Sequence, residues 1–115
     1  MLVLSRKQDE AIMIGATVRM VVASIQEALV GLRFHHPDEM PVYKSNESEK
    51  PPRYWPREPF TEHTSEPKEQ TEKLLVKGES VWLGIDVKVI LVQIGDDKVR
   101  LGIEHPREVE IFREE

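Results

Sequence analysis

Residues 78–115 read GESVWLGIDVKVILVQIGDDKVRLGIEHPREVEIFREE, and residues 9–46 read DEAIMIGATVRMVVASIQEALVGLRFHHPDEMPVYKSN. The two stretches align without a gap at an offset of 69 positions. Chance alternation of apolar residues does not place a His-Pro pair over a His-Pro pair, so we interpret the alignment as an internal repeat. The identical pairs are Glu10/Glu79, Gly15/Gly84, Val18/Val87, Ile25/Ile94, Val30/Val99, Leu32/Leu101, His36/His105, Pro37/Pro106 and Glu39/Glu108.

Both copies show the apolar and polar alternation that predicts short β-strands. The predicted strands of the first unit are 1–7, 10–14, 17–24, 29–34 and 38–44. Those of the second unit are 79–83, 86–93, 98–103 and 107–113. Gly15 and Gly84 are predicted to close tight turns, and Gly95-Asp96-Asp97 is typical of a hairpin. No stretch has helical periodicity over more than two turns, so the sequence predicts an all-β protein.

Between the copies, residues 45–72 hold five prolines and are rich in Glu, Ser, Thr and Lys. Such a composition buries little apolar surface and predicts a flexible linker. The expected organisation is therefore a first unit at 1–44, a linker at 45–72 and a second unit at 73–115. Three aromatic residues of this linker, Tyr54, Trp55 and Phe60, are expected to be solvated, with docking on a folded surface as the alternative.

The two units are predicted to pack on each other. Each has strands of only five to eight residues, and a small sheet needs something to cover its apolar face. The hydrophobic fraction of 39% would give a thin core if each unit folded alone. Fusion keeps the units at high effective concentration, which favours packing within one chain.

Several classes of protein are disfavoured by composition. The 115 residues contain no cysteine, which fits a reducing cytoplasm, and no apolar run long enough to span a membrane. The N-terminus lacks the order of a signal peptide. The net charge of −5 predicts weak non-specific attraction to phosphate.

No catalytic or metal-binding pattern stands out, and no cofactor is expected. Met13 and Trp82 are repeat equivalents whose simplest interpretation is packing between the units. The four histidines have no ligand partners at suitable spacing and are interpreted as turn or surface residues. They are His35, His36, His63 and His105.

Three motifs of the first unit together resemble the carbon storage regulator (CsrA/RsmA) family. They are MLVLSRK at 1–7, EAIMIG at 10–15 and PDEMPV at 37–42. The second unit carries ESVWLG at 79–84 and PREVEI at 106–111, and the resemblance covers about 82 of the 115 residues. It implies intertwined five-stranded units without catalytic activity that bind a GGA core, usually in an RNA hairpin loop. We therefore expect a single-chain pseudo-dimer, either monomeric or with strands swapped between chains. It is expected to bind a messenger RNA 5′ leader or a small regulatory RNA in the cytoplasm and to control translation or messenger RNA stability.

In the family, each RNA-binding face combines the first strand of one unit with the fifth strand of the other. The resemblance therefore implies one complete composite face in this chain, formed by the first strand of the first unit and the fifth strand of the second. The backbone edge of its first strand would read guanines, and basic side chains would contact phosphates. The expected RNA-binding residues are Leu4, Ser5, Arg6, Lys7, Arg100, Arg107, Val109, Ile111, Phe112 and Arg113.

The other composite face is expected to be weaker. Asp38, Gly31 and Lys44 stand where the second unit has Arg107, Arg100 and Arg113, respectively. Lysine does not reproduce a bidentate arginine contact. The first strand of the second unit is degenerate, with only KLLVK at 73–77, and the family's C-terminal helix is expected to be missing from both units.

The alternative is a protein-interaction module, or an antagonist of ordinary family members, that has lost RNA binding. The acidic balance, the missing helix and the linker aromatics favour it.

Overall fold

The computed structural model describes residues 1–15, 18–36, 42–44, 69–83, 87–107 and 109–114, apart from the side chains of residues 69, 113 and 114. Within these ranges all regular structure is β-strand, which confirms the all-β prediction. The strands are β1 (Leu2–Lys7), β2 (Ala11–Ile14), β3 (Val18–Ile25), β4 (Val30–His36), β5 (Val42–Lys44), β6 (Glu69–Leu75), β7 (Ser80–Leu83), β8 (Val87–Ile94), β9 (Lys98–Glu104) and β10 (Ile111–Glu114).

The strands form two antiparallel five-stranded sheets that exchange strands between the repeats. The first sheet, called sheet A, has the order β1-β9-β8-β7-β5, and the second, called sheet B, has the order β10-β2-β3-β4-β6. Each sheet therefore has three consecutive strands of one unit at its centre and one strand of the other unit at each edge. In β1, Leu4 lies opposite Leu101, and in β10, Ile111 lies opposite Ile14.

The inward side chains of both sheets form one hydrophobic cluster. Phe34 and Leu32 from sheet B and Leu101 and Leu83 from sheet A are fully buried in it. A single core spanning both sheets supplies the apolar burial that one small unit could not reach alone.

The turn after the first strand of each unit is the clearest structural repeat. The backbone N–H of Asp9 donates to Val22 O (2.7 Å), and that of Gly78 donates to Leu91 O (2.8 Å). Asp9 has φ 71° and Gly78 has φ 92°, so the same left-handed backbone occurs in both turns. Glycine adopts this region without steric cost, whereas a non-glycine residue there is uncommon.

A carboxylate closes each of these turns. Glu10 Oε1 accepts a hydrogen bond from the backbone N–H of Lys7 (2.8 Å), and Glu79 Oε1 accepts one from Val76 N–H (2.8 Å). The backbone N–H of each glutamate donates back to the carbonyl of the same partner. The identical repeat pair Glu10/Glu79 therefore has a shared structural role.

Other predicted features are also present. Gly15 has φ 64° at the end of β2, and Gly95 N–H donates to Lys98 O (2.8 Å) across the predicted hairpin turn. Met13 and Trp82 lie opposite Phe112 and Tyr43 of the other unit, so they meet the other repeat as expected. They do so on the partly exposed outer faces of the sheets rather than in the core.

Three predictions require correction. The strand β6 begins at Glu69, so residues 69–72 form strand instead of linker, because β4 offers them a full row of backbone partners. The last strand begins at Ile111 rather than at residue 107, because a turn precedes it in which Val109 N–H donates to Pro106 O (3.1 Å). His36 is a buried strand residue hydrogen-bonded to Thr71 Oγ1 (2.8 Å), not a turn or surface residue.

Some predicted features lie outside the described residues. These are Gly84, His63, the linker aromatics, and residues 38–41 of the predicted fifth strand of the first unit.

Candidate nucleic-acid interface

Two outer strands, β1 of sheet A and β10 of sheet B, lie at the same end of the molecule. The chain passes from β1 to β2 through only three residues, and β2 is the direct neighbour of β10. Among the described strands, β1 pairs only with β9 and β10 only with β2. The first strand of the first unit and the fifth strand of the second are therefore brought together, each with one open side.

The open side of β1 presents backbone groups in alternation. Lys7 uses its N–H and C=O in the turn with Glu10, so these groups point away from β9. Backbone direction alternates along a strand, so the N–H groups of Val3 and Ser5 also point to the open side. Backbone donors and acceptors on an open edge can recognise base edges as well as another strand.

Arg6 is buried at this end of the molecule, with its side chain 6% exposed. Its Nε donates to Ser5 O (2.9 Å), and its Nη1 donates to Ala11 O in β2 (3.3 Å). Nη2 also lies 3.8 Å from Glu10 Oε1. The guanidinium thus links the edge of sheet A to sheet B and satisfies an edge carbonyl.

Exposed cations lie beside β1 on the outer face of sheet A. Lys7 is directly opposite Lys98, and Ser5 is directly opposite Arg100. The side chains of all three cations are exposed. Like charges placed directly opposite each other oppose sheet formation, so this arrangement favours a bound anion over the free state.

A shallow cleft of about 90 Å³ opens within this group of cations. Its size suits a phosphate-sized group rather than a drug-sized molecule. The lining residues are Ser5, Gln93, Gly95, Lys98, Val99 and Arg100.

The β10 side of the interface is mixed. Arg107 is exposed in the turn before the strand, whereas Val109 is buried in the core. Ile111 is partly buried, and Phe112 is 52% exposed. The backbone of Arg113 lies opposite Ile12, and its side chain is outside the described set.

Eight of the ten expected site residues, all but Ile111 and Arg113, therefore divide into two groups. Ser5, Lys7, Arg100, Arg107 and Phe112 have side chains that a ligand can reach. Leu4, Arg6 and Val109 are buried, and they support the edges from within.

The opposite end of the molecule, where β5 and β6 lie in contact, has different chemistry. By the repeat, Leu74, Leu75 and Val76 stand in place of Ser5, Arg6 and Lys7. Leu74 is 50% exposed and Val76 is 44% exposed. Apolar side chains thus occupy the positions that carry polar and basic groups at the first end.

Lys44, the counterpart of Arg113, is held at this second end by Glu79. Its Nζ lies 3.1 Å from Glu79 Oε1. The pKa of Glu79 is lowered, mainly because its carboxylate accepts the Val76 N–H and also because Lys44 lies beside it, although partial burial opposes the shift. Lys44 is therefore engaged with an acid of the protein itself.

Lys98 and Gln93 line the cleft but are not among the residues expected from the sequence. Lys98 is the repeat equivalent of Leu29, so the repeat comparison gave no reason to select it. The signal that could have found both is strand register, which places Lys98 opposite Lys7 and Gln93 opposite Arg100.

In the described part of the chain there is no group of three or more His, Asp or Glu side chains that could hold a metal ion. The same part contains no helix long and apolar enough to cross a membrane.

The chain has the architecture of a small all-β protein in which two repeats exchange their outer strands and leave open sheet edges. It belongs to the CsrA family, described as a global regulator protein family, whose model matches residues 1–49 and 76–115. The two matched regions contain both copies of the repeat, residues 9–46 and 78–115.

Curated relatives carry the name translational regulator CsrA. The protein of Rhodopirellula baltica is 51% identical over 39 residues, which are 34% of this chain and 56% of that protein. The protein of Syntrophomonas wolfei is 49% identical over 39 residues, covering 34% of this chain and 51% of that protein. The chain thus spans about half the length of the curated relatives it matches. No solved structure matches it significantly.

Proposed function

We propose that the chain is an RNA-binding post-transcriptional regulator that recognises a GGA-containing loop at the composite edge of β1 and β10. The observation that carries this proposal is the open edge of β1 beside the exposed cations Lys7, Lys98 and Arg100. Sequence-specific RNA recognition usually targets unpaired loop bases, whose edges an open strand can reach. The names of the curated relatives agree with this class of function.

The proposed roles follow the geometry. The backbone N–H groups of Val3 and Ser5 contact base edges, and Lys7, Arg100 and Arg107 contact phosphates. Arg113 contacts RNA from β10, as the family resemblance implies. Arg6, with buried Leu4 and Val109, positions the edge rather than meeting solvent.

The face formed by β5 and β6 is proposed not to bind RNA. Leu74 and Val76 replace the polar and basic residues of β1, and Glu79 competes with phosphate for Lys44. The chain would then bind RNA through one face only, and it would act without joining two RNA sites as a symmetric dimer can.

A binding assay with two hairpins tests the proposal. One hairpin carries GGA in its loop, and the other differs only by CCA at the same place. We expect tight binding to the GGA hairpin alone. Equal affinity for both hairpins, or none for either, would overturn the proposal.

Two variants test the site within the same assay. Arg100→Ser removes a cation next to the open edge, so affinity is expected to fall about fivefold at 0.1 M salt, the effect of losing one phosphate contact. Lys88→Ser removes a lysine near the start of β8, five residues from Gln93, and serves as the matched control, with no expected change. An unchanged Arg100→Ser variant would show that the cations beside β1 are not the site.

A second candidate function is a protein-interaction module or an antagonist of ordinary family members. The exposed Leu74 and Val76 favour it, because neighbouring exposed apolar side chains on an open strand are typical of a protein contact. In this case the chain would bind neither hairpin but would reduce RNA binding by a purified relative when the two are mixed.

A further inference from the structure

The outer face of sheet B carries a row of side chains that runs across the sheet from the candidate interface at β10. Strand register aligns Phe112 of β10, Met13 of β2, Arg19 of β3 and His35 of β4 across the sheet. Adjacent strands are about 4.8 Å apart, so the row extends for roughly 14 Å from the open edge. We call it the sheet B row.

The sheet B row combines an accessible aromatic ring with positive charge. Phe112 is 52% exposed, and Met13, Arg19 and His35 are partly exposed. Arg33, two residues before His35 in β4, lies on the same face as Arg19 and His35. Aromatic rings accept stacked bases, and arginine pairs with phosphate, so this set of side chains fits single-stranded nucleic acid.

The electrostatic environment of the row is positive. Burial and the nearby charges of Arg19, Arg33 and His36 together lower the pKa of His35. The neighbour opposite His35 on β6 is Gln70, which is neutral. Glu72 lies beside Arg33, with 3.8 Å between carboxylate and guanidinium.

The repeat provides an internal comparison on sheet A. The equivalent row there contains Tyr43, Trp82, Lys88 and Glu104. Lys88 Nζ lies over the Trp82 ring, 5.4 Å from its centroid, and Glu104 is directly opposite Lys88. An acid thus stands where sheet B has His35, so the two rows differ in charge although the fold around them is the same.

We propose that the sheet B row binds the nucleotides that flank the loop held at the β1 and β10 edge, with a base stacked on Phe112 and a phosphate at Arg19. This inference rests on the proposed function, and it adds a second contact surface for the same RNA molecule. Continuity with the edge supports it, because Phe112 belongs to β10 itself. The flanking RNA would be bound by stacking and charge and would contribute little sequence preference.

The test compares a short GGA hairpin with the same hairpin carrying a single-stranded tail of about eight nucleotides, on the 5′ or the 3′ side. We expect one tailed hairpin to bind the wild-type chain more tightly than the short one. Arg19→Gln should weaken that tailed complex about fivefold at 0.1 M salt and should lower the slope of log affinity against log salt by about 0.7, with the short hairpin unaffected. Lys88→Gln, the matched change on sheet A, should alter neither.

A fluorescent base in the tail gives a second readout. With 2-aminopurine in the tail, stacking on Phe112 should quench its emission in the wild-type complex, and Phe112→Leu should restore the emission. Quenching that persists in Phe112→Leu would overturn the stacking contact.

The outcomes separate the two proposals. If the short hairpin binds but tails add nothing, or Arg19→Gln leaves the tailed complexes unchanged, the sheet B row is not an RNA surface and the edge site stands. Equal weakening of the short and tailed complexes would likewise overturn the row as a flanking site. If the wild-type chain binds no hairpin, both proposals fail.

Discussion

Individual residues at the two ends of this molecule decide what each end can bind. Lys7 and Lys98 face each other on the outer face of sheet A, and Arg100 follows two positions along β9. A protein that only needed to fold would gain nothing from that repulsion. The repeat equivalents of Lys7 and Lys98 are the apolar Val76 and Leu29, so this pair of like charges occurs only once in the two copies of the repeat.

The Lys7 and Lys98 pair predicts opposite effects on stability and binding. In Lys98→Gln, relief of the cross-strand repulsion should raise the free energy of unfolding by about 0.2–1 kcal/mol. RNA affinity should fall about fivefold at 0.1 M salt because one cation is lost. Urea denaturation and hairpin binding measure the two quantities. A variant that loses stability as well as affinity would contradict this account of the pair.

The glutamates that close the repeated turns give a second prediction. Glu10→Ala and Glu79→Ala each leave a strand-end N–H without its side-chain acceptor, so each should lower the free energy of unfolding by about 1 kcal/mol. Chemical denaturation of both variants measures the loss. Unchanged stability in both would show that solvent replaces the carboxylate without cost.

Glu79 also predicts a pH dependence. The pKa of Glu79 is lowered in the folded chain. The stabilisation that its carboxylate gives the folded state is therefore fully present above the ordinary glutamate pKa, and it is lost as the pH falls through the pKa of Glu79 in the folded chain. The stability difference between wild type and Glu79→Gln should therefore shrink between neutral pH and strongly acidic pH. A difference that grows on acidification would have the wrong sign for a lowered pKa.

At the level of strands, the repeat allowed most of the fold to be predicted. Alternating apolar residues located the strands, and Gly15 and Gly95 marked their turns, because both signals are local in sequence. The strand β6 was only partly predicted. Its first residues are polar, and what makes them a strand is the free edge of β4, a partner more than thirty residues away.

The candidate site was predictable to a similar extent. The family motifs selected Ser5, Lys7 and Arg100, whose side chains a ligand can reach. They could not show that Arg6 is buried, because its partner Ala11 O depends on how β1 and β2 meet across the two sheets. Lys98 and the sheet B row emerge only from strand register, which a single sequence does not reveal.

Proline substitutions test β6 as a strand. Val76 N–H binds Glu79 on the open side, so alternation directs Leu74 N–H outward and Lys73 N–H toward β4. Lys73→Pro should therefore remove a ladder hydrogen bond, leave its acceptor on β4 unpaired and destabilise the fold by about 1–3 kcal/mol. Leu74→Pro is the matched control and should cost clearly less, because proline is tolerated on the outer side of edge strands.

Thermal denaturation of the two proline variants measures this difference. Equal, small losses would mean that β6 contributes little to the folded state. Equal, large losses in stability would mean that the N–H groups of Lys73 and Leu74 do not point in opposite directions.

At the scale of the whole molecule, the two repeats share one core and exchange their outer strands, so neither sheet is complete without both units. Leu32→Ala in sheet B should lower stability by about 2–5 kcal/mol. Trp82 in sheet A, observed by fluorescence in a Trp55→Phe background, should report the same lower midpoint as circular dichroism. Two separate transitions would show that the sheets unfold independently.

We propose that one end of this pseudo-symmetric molecule binds RNA and that the other does not. Calorimetric titration of the purified chain with the GGA hairpin tests this difference, with molecular mass measured by light scattering on the same sample. We expect saturation at one hairpin per chain. Saturation at two hairpins per chain would contradict it, because the face with Leu74, Val76 and the engaged Lys44 would then bind RNA as well.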